Sequence, residues 1–253
     1  MNHDCPFTRP AVTATRRGEL GRLLTRNAAL REVFAGDDRL AERLKELQRW
    51  QVQRLRRSYA DLAAQSRYRP AIEFFLDELY GGDPRRRDTD LLKVQRAMQR
   101  LLPRAGLDAL CAAIRLESLS QALDAAVTRA LAPGPITLGT YAEAYRSTGR
   151  RADRERQVVL MVEVGTYLDH VVRKPIVRGL VRMAHGPAHA AGFGVLQDFL
   201  ERGLVAFETM HGATEFLGTI RTRELRALER LFAGDADPFD FAPAGPPGSP
   251  AYG

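Results

Sequence analysis

The chain has 253 residues, 45% of them hydrophobic and 27% charged, with a formal net charge of +7. That length can bury a substantial core in one large domain or two small ones, and the composition is that of a soluble globular protein. It excludes a membrane-spanning chain, since no apolar run approaches the roughly 20 residues a bilayer requires.

The first residues, MNHDCPFTRPAVTATRR, carry no apolar signal stretch and read as a loose arm over residues 1–15. Two cysteines, Cys5 and Cys111, are too few for a disulfide framework, so a cytoplasmic protein is expected. The basic charge is almost all arginine, Lys45, Lys93 and Lys174 being the lysines. Such a ratio suits a coding bias as well as phosphate contacts, and no zinc-finger spacing or RNA-binding motif accompanies it. Nucleic acid is therefore not an expected partner.

In chain order, a short helix is expected from Glu19 to Phe34. Asp37 or Asp38 then caps a long helix carrying Leu40, Leu44, Leu47, Val52, Leu55, Tyr59 and Leu62 at helical intervals. Arg49, Arg54, Arg56 and Arg57 are assigned to its solvated face. Residues Tyr68 to Pro103 read as two helices and a corner: Pro70 opens the first, Gly81-Gly82-Asp83-Pro84 breaks it, and Asp88 caps the second. In that corner Arg86 and Arg87 offer an anion site at a helix start, although a solvated corner with Asp88 as cap is the favoured reading.

A further helix runs to the linker Ala132-Pro133-Gly134-Pro135, and Thr137 or Thr140 caps the next. The run Val158–Val164 has strand-like composition, yet its apolar pattern continues at helical spacing through Val172, too far for a typical strand. Pro175 starts another helix, expected to break at Gly186-Pro187, before a final pair over about 188–211 and 213–232. The tail 234–253, rich in proline and glycine, is expected to be disordered, with Asp237–Phe241 either a docking peptide or a frayed end. Glycines inside helical patterns (Gly165, Gly179, Gly192, Gly194, Gly203 and Gly218) suggest close helix–helix approach. The reading is all-α: a single bundle-like domain of eight to ten helices over residues 16–233, with lobes 16–132 and 137–233.

Chemistry is harder to find. Glu208-Thr209-Met210-His211 is an E-x-x-H, which puts a carboxylate and an imidazole on one helical face as di-metal bundles do. Glu163 is the natural third ligand for a metal, so Glu163, Glu208 and His211 form the candidate metal set. His170 and Glu215 lie seven residues from Glu163 and Glu208, about 10 Å along each axis, too far to share one ion with them. A haem could take one axial ligand from His170, His185, His189 or His211. His185 and His189 would align in an unbroken helix, but Pro187 is expected to disrupt that geometry. No nucleophile elbow, Walker loop or dinucleotide fingerprint is present, so no catalytic residue is assigned.

The FFLDELYG run at Phe74–Gly81, the Arg87-Asp88 pair, the LLP at Leu101–Pro103 and the later RKP and FLERGLVAFETMHGA stretches resemble an uncharacterised bacterial family, a domain of unknown function. The resemblance covers most of residues 37–233. It implies one cytosolic helical unit and brings no activity or catalytic residues. Two functions follow: a non-enzymatic interaction or regulatory protein that meets a protein partner or self-associates, or a helical-bundle enzyme or carrier binding iron or haem near Glu163, Glu208 and His211.

Overall fold

The computed structural model describes residues 20–27, 29, 36–80 and 104–241, and every regular element among them is an α-helix. After a helical stretch at 20–27, the helices are α1 (Asp38–Ser58), α2 (Ala60–Ala63), α3 (Arg69–Tyr80), α4 (Arg104–Ala130) and α5 (Leu138–Ser147). They continue with α6 (Arg151–Val172), α7 (Pro175–Ala190), α8 (Gly194–Thr209) and α9 (Thr214–Ala233). The corner 81–103, with Arg86 and Arg87, lies outside the described residues, as do the arm and residues 242–253. Among the described residues, no helix is long and apolar enough to cross a membrane.

Local chemistry sets many of the boundaries. The Asp37 carboxylate accepts the Leu40 N–H at 3.0 Å and caps α1. Thr137 and Thr140 share the capping of α5, each hydroxyl accepting the other's backbone N–H. Gly234 closes α9 in the left-handed region at φ 78°. One boundary departs from expectation: α7 runs unbroken through Gly186-Pro187 to Ala190, and the chain turns at 191–193 instead. Proline's fixed φ is helical, and the hydrogen bond it forfeits falls in an exposed last turn where water can serve the carbonyl. Gly192, at φ +82°, is the residue that reverses the chain.

The core draws on both halves of the sequence. Tyr59, Leu62, Tyr68, Ile72 and Leu76 pack with Val172, Phe207, Met210, Phe216 and Leu217. A second cluster joins Leu47 and Val127 to Tyr141, Tyr145 and Leu231. A third sets Leu20 and Leu24 against Cys111, Ile114 and Leu196. Residues 234–241, which the sequence placed in the tail, fold back: Pro238 is buried, and Phe239 lies against Trp50 and Tyr141. These two aromatic neighbours give this short segment a reason to order that its composition conceals.

Helical glycines divide into two kinds. At Gly165 of α6 a Cβ would collide with the Leu217 side chain of α9, and at Gly203 it would meet Phe74 Cζ at 2.9 Å. Gly179 and Gly218 have nothing within 4 Å of that position. Two outwardly identical changes should therefore have opposite signs. Gly165→Ala is expected to destabilise by about 1–3 kcal/mol through overpacking, whereas Gly218→Ala should stabilise by up to about 1 kcal/mol through helix propensity. Urea unfolding of the pair checks it; equal shifts would mean that α6 and α9 do not meet closely at Gly165.

Candidate functional site

The fold encloses a polar interior that sequence reasoning missed. Arg54, expected on the solvated face of α1, turns inward and meets Glu224 of α9 in a two-pronged pair at 2.7 and 3.2 Å. The side chains are 12% and 14% exposed. Tyr59 donates to the same carboxylate at 2.7 Å. Burial works against both charges. For Arg54 the attraction and hydrogen bonds of Glu224 outweigh that penalty and raise the guanidinium; for Glu224 those of Arg54, helped by Tyr59, hold the carboxyl below its ordinary range. Nearby, Gln51 donates to buried Asp124 at 3.0 Å, and burial pushes the Asp124 carboxyl up despite the positive charge of Arg154. Arg154 stacks 4.4 Å from the Tyr145 ring, and its Nε and Nη2 have no protein partner. These groups lock α1, α4, α6 and α9 together; they act as a structural network beneath Phe239, whose ring lies 4.7 Å from the Arg54 guanidinium.

The expected metal residues are spread apart in role. Glu208 is engaged by Arg178 of α7. Glu163 lies half-buried with its Oε2 lacking a partner. His211 sits exposed in the turn after α8 at a left-handed φ of 50°. That turn is pinned by Arg67, which donates to the Met210 and Gly212 carbonyls, and by Asp169, which accepts the Ala213 N–H. Among the described residues, the set of three metal-type side chains with mutually close ligand atoms is another one: His185, His189 and Asp198, within 4.8 Å of one another.

That set belongs to the α7–α8 hairpin. Because α7 continues past Pro187, His185 and His189 fall one turn apart on a single face, their rings 4.5 Å apart. The facing helix supplies carboxylates. Asp198 Oδ1 lies 2.9 Å from His189 Nε2, and both Glu201 oxygens lie 2.9 and 3.1 Å from His185 Nδ1. Gln197, buried between the helices, donates to Glu201 at 2.8 Å and to the Val181 carbonyl at 2.6 Å. The Gln197 hydrogen bond, with His185 beside it, holds the Glu201 carboxyl below its ordinary range.

The other side of α7 has the opposite character. Its outward face reads Ile176, Gly179, Leu180, Met183, Gly186, Pro187 and Ala190, while Val177 is the helix's one buried residue. Ile176 is 66% exposed and Met183 77%. Arg178, Arg182, His185 and His189 take one side of α7, and the rest of its circumference is apolar, a wider arc than the chain itself covers.

Residues 31–238 match the family described as Domain of unknown function (DUF8198). The chain belongs to that family. No curated protein and no solved structure matches it. The match spans all nine labelled helices, so the buried network and the α7–α8 hairpin both lie within the family domain.

Proposed function

We propose that this protein acts as an interaction protein that self-associates, two copies joining through the outward face of α7. The observation that carries this reading is the exposed apolar stripe of Ile176, Leu180 and Met183 on α7, 66%, 38% and 77% accessible. The stripe is also complementary to itself. In an antiparallel pair with its twofold axis at residue 181, Ile176 faces Gly186 and Met183 faces Gly179, so two of the three bulky side chains meet a glycine, while Leu180 lies level with the aliphatic stem of Arg182. Both glycines are open, with nothing within 4 Å of a would-be Cβ. Small residues opposite large ones let two helices approach closely.

The energetics favour a reversible dimer. Burying a large aliphatic side chain contributes about 1.5–3 kcal/mol, so the paired stripes contribute on the order of 10 kcal/mol against an association cost of roughly 4–15 kcal/mol. At the low end of that cost the net is about 6 kcal/mol, a dissociation constant on the order of tens of micromolar. Support for the metal or haem reading at Glu163, Glu208 and His211 is weaker, because Glu208 is already held by Arg178.

Sedimentation velocity over a concentration series tests the proposal. The protein is expected to dimerise, and Leu180→Glu is expected to leave a monomer of unchanged helix content. A wild-type monomer at about 500 μM, well above the expected dissociation range, would remove the reading. So would a dimer that Leu180→Glu leaves intact. A monomer that instead sediments with anionic phospholipid vesicles would reassign the face to a lipid surface and equally overturn the second-copy proposal.

A further inference from the structure

The histidine–carboxylate cluster on the other face of the hairpin has chemistry that dimerisation does not use. We propose that the α7–α8 hairpin is a binding site for a single divalent first-row transition cation, with His185, His189 and Asp198 as ligands and Glu201 as the positioning residue for His185.

Spacing supports the ligand set. The unbroken α7 places two imidazoles on one face, and α8 crosses it with Asp198 and Glu201 one turn apart. In a tetrahedral site with metal–ligand bonds of about 2.0–2.1 Å, ligand atoms stand about 3.3 Å from each other. His189 Nε2 and Asp198 Oδ1 are 2.9 Å apart, and one ligand atom from each of the three side chains fits within 4.8 Å. A cation between them therefore requires small side-chain movements and no rearrangement of the helices. Two imidazoles and a carboxylate suit zinc, nickel, copper or iron in the divalent state rather than magnesium or calcium.

The surroundings are built for the same arrangement. Glu201 accepts at His185 Nδ1, which leaves the Nε2 lone pair for a metal, the outer-shell relation that metal-ligating histidines commonly show. Glu201 is itself fixed by Gln197, which is 4% exposed. His189 fits because residue 194 is glycine: a Cβ there would lie 2.7 Å from His189 Nδ1. The exposed side of the cluster, with the His185 and His189 side chains 54% and 42% accessible, leaves room for water as a further ligand.

Titration of the full chain with Zn²⁺ by calorimetry, and with Co²⁺ by visible absorption, tests the proposal. The expected result is saturable binding of one cation per chain with the d–d bands of a low-coordinate Co²⁺ site. His185→Ala and His189→Ala should each abolish it, while His170→Ala and His211→Ala leave it unchanged. Glu201→Gln should weaken it about 10- to 100-fold, the usual effect of losing an outer-shell partner. Gly194→Ala keeps every ligand yet crowds the His189 ring, so it should also weaken binding and serves if a histidine variant folds poorly. Binding that survives the paired loss of His185 and His189, or no saturable binding by wild type, would overturn the proposal. The readout is metal stoichiometry, so it stands or falls separately from the dimer.

Discussion

Glu224→Ala is expected to destabilise the fold by about 3–5 kcal/mol, the cost of leaving a buried charge without its partner. The charge is Arg54, whose guanidinium would keep no carboxylate in an environment where its side chain is 12% exposed. Tyr59 would lose its acceptor at the same time. The pair need not be a net gain over apolar residues: the joint replacement Arg54→Met with Glu224→Leu should cost far less than Glu224→Ala alone, because it removes both charges together. Chemical denaturation of the single and joint variants closes this cycle. If Glu224→Ala shifted stability by no more than a surface substitution does, Arg54 would have to reach water, and the network would not be buried. The pH dependence has a definite sign. The folded-state Glu224 carboxyl sits below its ordinary value of 4.5, so its contribution is complete above that value and is lost as pH falls through the lowered folded value. Glu224→Gln has no such titration, and the stability gap between it and wild type should shrink in acid.

How far this was legible from sequence depends on the range of the contact. Caps are local, and Asp37, Thr137 and Pro175 act where their positions imply. Helical periodicity identified α6 despite its strand-like composition, because apolar spacing outlasts any ordinary strand. Arg54 and Arg56 are two residues apart and chemically identical, and nothing local says that Arg54 meets a carboxylate 170 positions away while Arg56 faces solvent. The same limit separates Gly165 from Gly218, which differ only in what the neighbouring helix brings. At the hairpin the H-x-x-x-H spacing of His185 and His189 is plain in the sequence, whereas nothing local marks Asp198 and Glu201 as its partners. Pro187 looks like a break in the sequence, but a proline in a last turn deletes one hydrogen bond and leaves the helix standing. Periodicity also gives α7 a wide apolar arc opposite Arg178, Arg182, His185 and His189, without saying how much of it the rest of the chain covers.

Phe216→Ala is the second large effect, expected at about 3–5 kcal/mol for a fully enclosed aromatic side chain. Phe216 is 0% exposed and stands at the meeting point of the largest core cluster. Its ring lies 5.4 Å from Tyr68 and stacks at 6.4 Å on Phe75, while Phe75 in turn meets Phe207 edge-on at 5.9 Å. Truncation to Ala would leave a void lined by aromatic rings from α3 and α8, which cannot collapse inward without moving both helices. For a domain of this size the loss corresponds to a fall of about 10 °C in melting temperature. The form of the transition matters as much as its position. Tyr68 and Phe75 lie before the Ala132–Pro135 linker, whereas Phe207 and Phe216 lie after it, so one cluster joins the two parts of the chain. A single cooperative transition, displaced as a whole, is therefore expected by calorimetry. Two transitions, with the lower one shifted and the upper one fixed, would mean that residues 16–132 and 137–233 unfold independently and that the shared aromatic cluster does not couple them.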